Sequence, residues 1–484
     1  ELRPKCLADR SPCAGCRPSP VMFARSSLAL ALLGSVAAQQ PGTISQESHP
    51  KLNLYECSKA GGCQKRELEI VLDASWRWVH GPEYKNCFDE QGWSKEFCSD
   101  SSVCAATCEM EGLNLHDYKR TYGVETVDSA DTLHLDFSTP GGNVGSRVYM
   151  MEQPDQYKMF HLLNREFTME VSVEQLRCGM NGAVYFIEMD RLGGKGKGNN
   201  RAGAKYGTGY CDAQCPHMKW IEGQANIPEP GHVNDTVGKY GLCCAEMDIW
   251  EANREATAYT PHPCSIAGPV KCEGTPCGDG EERFDGHCDK DGCDFNSYRM
   301  GHRTFYGHGP GYVVDSSRPV QVVTQFHTAD GTDSGELSRI ERFYVQDGRV
   351  IDNSHSTVTG VSGNAITDAF CREQKSLFQD PNDFADNGGM AQMGAALKRG
   401  MVLALSLWDD GALHMRWLDS LHIGPNKTEH TPGVHRGPCE HGAGDPKNVR
   451  SRYGDASVRF SKISVGEIGS TFREGRRLSE GVFV

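Results

Sequence analysis

Three acidic residues of the segment 243–264, CCAEMDIWEANREATAYTPHPC, lie within six positions of one another: Glu246, Asp248 and Glu251. Like charges this close raise the pKa of at least one group, so a carboxylate and a carboxylic acid can coexist near neutral pH. Such a pair is what cleavage of a glycosidic bond requires. The alternative is a solvated acidic turn, but an exposed turn would not alternate its acids with large apolar side chains such as Trp250. The segment therefore predicts a catalytic carboxylate cluster.

A catalytic cluster requires all three acidic side chains to point to the same side of the segment. In a regular strand Glu246, Asp248 and Trp250 point to one face, whereas Glu251 points to the other. Glu251 can join the first two acids only if the strand bulges or twists sharply between Asp248 and Glu251. We therefore expect a bulge at this place, with all three acids facing one groove.

Short runs of alternating apolar and polar residues recur along the chain, separated by glycine-rich turns. They include LEIVLDASWRW, TLHLDFS, SRVYMM, FTMEVSV, AVYFIEMD, QVVTQFHT, IERFYVQDG, MVLALSLWDD and SVRFSKISVGEI. A period of two with turn signals between the runs predicts an all-β sandwich. Helical signals are few, the best being DFADNGGMAQMGAALKRG at residues 383–400. Because no linker or repeat marks a boundary, we expect one large domain.

The acidic segment and several of the strand motifs resemble glycoside hydrolase family seven, the family of cellobiohydrolase I and endoglucanase I. The E-x-D-x-x-E pattern of that family stands here as Glu246, Asp248 and Glu251. Further similar motifs are DASWRWVH at 73–80, NVGSRVYMM at 143–151, CGMNGAVYFIEMD at 178–190, AGAKYGTGYCDAQCP at 202–216, VVTQFHT at 322–328 and SLWDDGALHMRWLDS at 406–420. The resemblance implies a concanavalin-like β-jelly-roll sandwich of two curved antiparallel sheets, whose long loops roof a substrate tunnel or cleft.

The resemblance also implies a role for each acid and a set of substrate contacts. Glu246 would be the nucleophile, Glu251 the general acid and base, and Asp248 the group that orients the nucleophile. The substrate-binding positions would be Trp76, Trp78, Asn143, Arg147, Asn181, Tyr185, Asp212, Gln214, His262, Arg283, Asp291, Asp294, Arg299, Trp408, Trp417 and Arg436. The tryptophans would stack on sugar rings, and the arginine and aspartate positions from 283 onward would hold the departing disaccharide. This chemistry requires no cofactor and no metal.

The cysteines indicate an oxidising compartment. Eighteen of the 21 fall after residue 38, an even number that is typical of a disulfide framework in an exported protein. The close set Cys211, Cys215, Cys243 and Cys244 could instead form a four-thiolate zinc site. The resemblance implies nine disulfide bonds: Cys57–Cys63, Cys87–Cys108, Cys98–Cys104, Cys178–Cys439, Cys211–Cys244, Cys215–Cys243, Cys264–Cys288, Cys272–Cys277 and Cys293–Cys371. A tenth bridge, usual in fungal members, would need a cysteine where this chain has Glu109.

Both ends of the chain are expected to lie outside the folded domain. Residues 1–21 show no similarity to the rest of the chain, and we expect them to be non-native upstream sequence. Residues 22–38 have the form of a secretory signal peptide, with Arg25, the apolar run LALALLG and a final Val-Ala-Ala. The catalytic domain is therefore expected at residues 39–470, followed by a tail at 471–484 that contains no cellulose-binding module. We expect the protein to be secreted into the extracellular medium.

The net charge of the chain limits the classes of molecule that it is expected to bind. A formal net charge of −14 argues against nucleic acid and anionic lipid, and it suits a neutral polysaccharide. After the signal peptide, the apolar runs are too short to span a membrane. The sequons at Asn234 and Asn426 indicate glycosylation of surface loops. We expect a monomer whose partner is cellulose or a related β-1,4-glucan.

Together these observations predict a retaining β-1,4-glucan hydrolase that degrades cellulose. A cellobiohydrolase that acts from the reducing end is favoured because the loop 277–288 keeps Arg283 and the entrance keeps Trp78. An endoglucanase with a more open cleft is the alternative. A non-catalytic, lectin-like glucan-binding protein and a disulfide-rich wall protein are remote alternatives, since all three acids are present. Gly411 and Ala412 stand where fungal cellobiohydrolases carry a bulky roof pair, so we expect a partly open tunnel.

Overall fold

The structure is a computed structural model that describes residues 39–229, 236–472 and 476–478. The expected upstream sequence and signal peptide at residues 1–38 lie outside the described residues, as does the sequon residue Asn234. The same holds for residues 473–475 and 479–484 of the expected tail. Within the described part, the helices are all too short or too polar to cross a membrane.

Strands dominate the regular structure, as the alternating runs predict. The strands of four or more residues are, in chain order, β1 Lys51–Ser58, β2 Gly62–Leu72, β3 Val124–Val127, β4 Thr132–Asp136, β5 Ser146–Gln153, β6 Arg165–Ser172, β7 Met180–Ile187, β8 Glu246–Ala252, β9 Thr257–His262, β10 Val320–Thr328, β11 Leu337–Gln346, β12 Arg349–Asp352, β13 Met401–Asp409 and β14 Ser457–Glu467. Shorter strands are Gln40–Pro41, Val79–His80, Phe88–Asp89, Gly92–Trp93, Glu109–Met110, Gln156–Tyr157, Met159–Phe160, Trp220–Ile221, Gln224–Ala225, Gly241–Cys243, Val270–Cys272, Phe295–Asn296, Tyr306–Gly307, Val314–Asp315 and Arg476–Leu478.

The long strands form two curved sheets, and the prediction of an all-β jelly roll is confirmed. The first sheet has the order β2–β5–β13–β7–β8–β9 and continues to Phe295–Asn296. The second sheet has the order β3–β4–β14–β6–β10–β11–β12. Strand β1 pairs antiparallel with β2 and parallel with β14, so it joins the two sheets.

The two faces of the first sheet differ in what they contact. On β7, Val184 and Phe186 belong to the hydrophobic core between the sheets. Ala183 and Tyr185, the intervening residues, belong to a separate cluster on the other face. This alternation follows from the period of two in a strand. We call the second face the groove face, because β8 places its acidic residues there.

Seven α-helices lie among the described residues: α1 Ser101–Thr107, α2 Leu115–Tyr122, α3 Asp368–Phe378, α4 Asp383–Asp386, α5 Gly389–Arg399, α6 Arg416–Asp419 and α7 Pro446–Tyr453. The helical signal at residues 383–400 thus corresponds to two helices, α4 and α5. The break falls at Gly388 and Gly389, whose φ angles are 88° and 53°. Residues with side chains rarely adopt such angles, whereas glycine does so readily.

The structure contains all nine disulfide bonds that the resemblance implies. The alternative of a four-thiolate zinc site is wrong, because Cys211 pairs with Cys244 and Cys215 pairs with Cys243. Thiols joined in disulfides are not available as thiolate ligands. Several of these bonds clamp the loops that come after β7 and β9.

Polar contacts hold the N-terminal segment where the tenth bridge is absent. The strand Gln40–Pro41 pairs with Glu109–Met110. The Glu111 carboxylate accepts the backbone N–H of Ser45 at 2.9 Å. The Glu47 carboxylate accepts two hydrogen bonds from Arg77, at 2.5 and 2.9 Å, and one from the Tyr118 hydroxyl at 2.8 Å. Both side chains of the Glu47–Arg77 pair are fully buried.

We expect Glu47→Gln to destabilise the protein by about 3–5 kcal/mol, because it leaves the buried Arg77 guanidinium without its counter-charge. Denaturant unfolding monitored by tryptophan fluorescence measures the change. A Glu47→Gln/Arg77→Met double variant should recover part of the loss, since it removes the unpaired charge as well. A loss of stability below about 1 kcal/mol for Glu47→Gln would contradict the view that the Glu47–Arg77 pair holds the N-terminal segment in place.

Candidate active site

The acidic segment forms β8, and its ladder is interrupted as predicted. Against β9, Glu246 pairs with His262 and Glu251 pairs with Ala258, and the register shifts between Asp248 and Glu251. The ladder with β7 shifts at the same place. The expected bulge is therefore present.

The bulge changes which side chains share the groove face. Ile249 and Trp250 are consecutive residues, yet both are buried in the core between the sheets. Trp250 therefore lies on the opposite face from Glu246, whereas in a regular strand the two side chains would share one face. Because the bulge takes up one extra residue, Glu251 returns to the groove face beside Glu246 and Asp248.

Fixed donors hold the two glutamates. The backbone N–H of Ala213 donates to Oε2 of Glu246 at 3.1 Å. The side-chain Nδ2 of Asn181 donates to Oε1 of Glu251 at 2.9 Å. Oδ1 of Asn181 accepts the backbone N–H of Ala252 at 3.0 Å, and this contact fixes the orientation of the amide. Each glutamate therefore accepts a hydrogen bond from a donor whose orientation is fixed.

Asp248 faces the ring of His262. Nδ1 of His262 lies 2.8 Å from the backbone carbonyl of Asp289 and donates to it. Nε2 then points at Oδ2 of Asp248, 3.0 Å away. Gly292 packs against the same ring so closely that a Cβ there would lie 2.6 Å from Cε1. The imidazole is therefore held in one orientation, in which Nε2 can share a proton with Asp248.

The site holds more carboxyl groups than can ionise together. Burial, Asp248 and Asp212 raise the pKa of Glu246 well above its usual value. Burial and Asp212 raise the pKa of Asp248, and burial and Asp248 raise the pKa of Glu251. Burial also raises the pKa of Asp212. Near neutral pH the cluster therefore keeps at least one proton, so a carboxylic acid and a carboxylate stand side by side.

A buried polar network borders the acids on one side. The guanidinium of Arg147 lies 3.2 Å from the centre of the Tyr210 ring and pairs with Asp73 at 2.8 Å. The Tyr210 hydroxyl donates a short hydrogen bond to Asp212 and lies 3.3 Å from the Tyr185 hydroxyl. The expected substrate positions 147, 185 and 212 are thus brought together in one network that reaches the acids.

Two of the four expected tryptophan platforms stack on each other. Trp408 and Trp417 stack with ring centres 6.2 Å apart, and Oδ2 of Asp410 accepts the Trp417 indole N–H at 3.0 Å. Trp76 is partly buried, with Arg147 5.4 Å from its ring centre. Trp78 is 38% exposed. Trp408 therefore stacks on Trp417, whereas Trp76 lies beside Arg147 and donates its indole N–H to the Val144 carbonyl at 3.4 Å.

The residues expected to hold the departing disaccharide form two groups of ion pairs. Arg283 contacts Asp291 at 2.6 Å. Arg299 makes a short bond to Asp294, whose other oxygen lies 3.4 Å from Nη1 of Arg436. Nε of Arg436 is buried and has no hydrogen-bond partner among the described residues.

Gln214 joins this product-side group to Asp212, whose Oδ1 accepts the Gln214 backbone N–H at 2.8 Å. Its Nε2 donates to the Lys290 carbonyl at 2.6 Å, and its Oε1 accepts from Arg283 at 3.4 Å. Asn143 lies apart from them, in the loop before β5, where its Nδ2 donates to the Gly145 carbonyl at 2.9 Å. In the structure its side chain supports the loop.

Two residues near the groove were not selected from the sequence. Asp73 is fully buried; burial would raise its pKa, but Arg147 outweighs burial and the pKa lies below its usual value. Lys219 donates to the Arg77 carbonyl at 3.1 Å, and burial lowers the pKa of Lys219 to about 8. Both line a cavity that also includes Tyr210. Nothing in the sequence around a single lysine marks it as partly buried, so only the tertiary structure identifies Lys219.

Comparison with known proteins supports this geometry. The model of the family described as glycosyl hydrolase family 7 matches residues 41–472. A GH7 family cellobiohydrolase from Daphnia pulex is 45% identical, with a TM-score of 0.86 over 90% of this chain and 100% of that one. A cellobiohydrolase from Melanocarpus albomyces, complexed with cellotetraose, is 41% identical with a TM-score of 0.82. The Humicola insolens endocellulase EGI is 39% identical with a TM-score of 0.76. Both of the latter cover the same shares, 90% of this chain and 100% of their own.

The family match spans nearly the whole described domain, and three relatives align over their full length. The acids of β8 and their bulge lie inside the matched range. This chain is therefore a glycoside hydrolase and belongs to glycosyl hydrolase family 7.

Proposed function

We propose that the protein is a retaining β-1,4-glucan hydrolase that degrades cellulose. The observation that carries this proposal is the bulge in β8, which turns Glu246, Asp248 and Glu251 to one groove. Glu246 attacks the anomeric carbon and forms a glycosyl-enzyme, while Glu251 gives its proton to the leaving oxygen. Glu251 then removes a proton from the water that releases the sugar. Retention by this route requires carboxyl groups about 5–5.5 Å apart.

The surroundings of the two glutamates support this division of roles. Glu246 accepts the Ala213 N–H, a contact that favours a carboxylate acceptor. Glu251 accepts a hydrogen bond from the Asn181 amide, and burial raises the pKa of Glu251, so the group can carry a proton before reaction. Asp248, held against His262, orients Glu246 and supplies no bond to the sugar.

The proposed substrate follows from the groups that surround the acids. Apolar faces of pyranose rings stack on aromatic side chains, and hydroxyl groups need charged and amide partners. Trp408 and Trp417 supply stacked rings, and the partly exposed guanidinium groups of Arg283 and Arg436 supply donors. The Melanocarpus relative was solved with cellotetraose, a short β-1,4-glucan. We infer that this chain acts as a secreted monomer on the same class of polymer.

We propose a cellobiohydrolase with a partly open tunnel. The product-side loops are retained, because Cys264–Cys288 and Cys272–Cys277 clamp the segment that holds Arg283. The roof has little bulk, because a Cβ on Gly411 would meet no atom of the described chain within 4 Å. The endoglucanase alternative is favoured by this same opening. The Daphnia cellobiohydrolase has the higher TM-score, 0.86 against 0.76 for the Humicola endocellulase, which favours the cellobiohydrolase.

The tunnel proposal predicts a mixed product pattern. Cellobiose should be the main sugar released from crystalline cellulose, because the product side retains Arg283, Arg299 and Arg436. Carboxymethyl cellulose should lose viscosity slowly, because glucan can also enter through the open roof. Gly411→Tyr, which adds bulk where there is space, should slow the viscosity loss about two- to tenfold while cellobiose release persists. A rapid viscosity loss with mixed products from crystalline cellulose would establish the endoglucanase instead.

A further inference from the structure

One exposed aromatic side chain is not used by the site described above. Tyr84 lies at the end of the short 3-10 helix Pro82–Tyr84, and 66% of its surface is exposed. This is the largest exposed fraction among the exposed large hydrophobic side chains of the described residues. A single exposed aromatic needs no explanation by itself. The rings next to Tyr84, however, suggest a role for it.

Tyr84 continues a row of rings that begins at Trp78. The ring centres of Trp78 and His80 are 4.4 Å apart, and those of His80 and Tyr84 are 6.0 Å apart. Oδ1 of Asn86 accepts the Trp78 indole N–H at 2.7 Å, which fixes the plane of that ring. His80 is buried between the two exposed rings and contacts Glu111 at 3.0 Å. The row of rings therefore extends past Trp78 to Tyr84.

The hairpin that carries Tyr84 is held in place. The backbone N–H of Gly81 donates to the Lys85 carbonyl at 2.8 Å, and that of Cys87 donates to the Val79 carbonyl at 2.9 Å. The Cys87–Cys108 disulfide anchors its base. A ring held on such a turn loses little conformational freedom when a ligand binds, so more of the contact energy remains as affinity.

The chemistry at this tip suits a sugar. An exposed tyrosine offers an apolar ring face and a hydroxyl, and the ring of a β-1,4-linked glucose offers an apolar face with hydroxyl groups around its rim. Glu83 and Lys85 flank Tyr84, are both exposed and lie 3.6 Å from each other, so charged groups that can bind hydroxyls stand beside the ring. We propose that Tyr84 is an additional sugar-binding platform, outside Trp78, for a glucan chain that continues beyond the groove. This inference rests on the proposed function.

The test compares ligands that do and do not reach Tyr84. Binding is measured in a Glu246→Gln background, so that the ligand is not consumed. Short cello-oligosaccharides fill only the inner path, amorphous cellulose offers free chains that extend past Trp78, and crystalline cellulose offers flat faces. Tyr84→Ala should weaken binding to amorphous cellulose about three- to tenfold relative to cellotetraose. Tyr84→Phe should restore the ratio, because it keeps the ring.

Leu115→Ala is the matched control, since Leu115 is 57% exposed and lies at the start of α2. It should leave the ratio unchanged. Equal losses for cellotetraose and amorphous cellulose would overturn the proposal, because they would indicate a structural role. Loss confined to crystalline cellulose would overturn it too, since the ring would then bind a flat surface. Failure of the wild-type protein to release sugar from any glucan would refute the proposed function instead, and the binding ratio would still be measurable.

Discussion

Glu246→Gln should abolish turnover on every substrate, with kcat lower by about 10⁴- to 10⁶-fold. The amide cannot form the glycosyl-enzyme, and the neighbouring Asp248 and Glu251 are held in place by His262 and Asn181. The loss should be the same for cellulose and for an aryl cellobioside, because both require the nucleophile in the first step. Initial rates on the two substrates, measured with matched enzyme concentrations, check this expectation.

Two controls separate chemistry from folding in that experiment. Glu336→Gln makes the same change at a loop position and should keep wild-type rates. Glu246→Gln itself should unfold at a temperature no lower than the wild type, because the substitution removes a buried carboxyl group from a crowded acidic cluster. Retention of more than about 1% of the rate on the aryl cellobioside would exclude Glu246 as the nucleophile.

Glu251→Gln should give a different pattern, in which the loss depends on the leaving group. On cellulose the rate should fall by about 10²- to 10⁴-fold, because the departing hydroxyl group needs a proton. On an aryl cellobioside with an acidic phenol the first step should be nearly normal, since that leaving group departs unprotonated. A burst of phenol followed by slow turnover would record the accumulated glycosyl-enzyme.

Azide provides a second measurement for the same residue. In Glu251→Ala, azide can enter the space of the lost side chain and attack the glycosyl-enzyme without a general base. Turnover of the aryl cellobioside should rise with azide concentration, and the product should be a glycosyl azide of retained configuration. The same addition should not accelerate Glu246→Ala to a retained product, because that variant forms no covalent intermediate. Equal losses on both substrates for Glu251→Gln, with no azide effect, would contradict the assigned acid and base.

Several features of this protein follow from local sequence. The alternation of β7 fixes which of its residues face the core and which face the groove, because a strand has a period of two. The same rule, applied to β8, shows that Glu251 needs a bulge to join Glu246, and the structure has that bulge. The family motifs also imply the nine disulfide pairings that the structure contains.

Other features depend on contacts that no local pattern records. The bulge places the Trp250 side chain in the core. The alternation of a regular strand would place it on the groove face instead. Asn181 meets Glu251 across 70 positions of sequence, and Glu47 meets Arg77 across 30. The first pair forms because β7 and β8 are neighbours in one sheet, and the second because the fold brings two loops together. Local sequence sets the direction of each side chain along its own strand, whereas the packed sheets decide which buried charges meet.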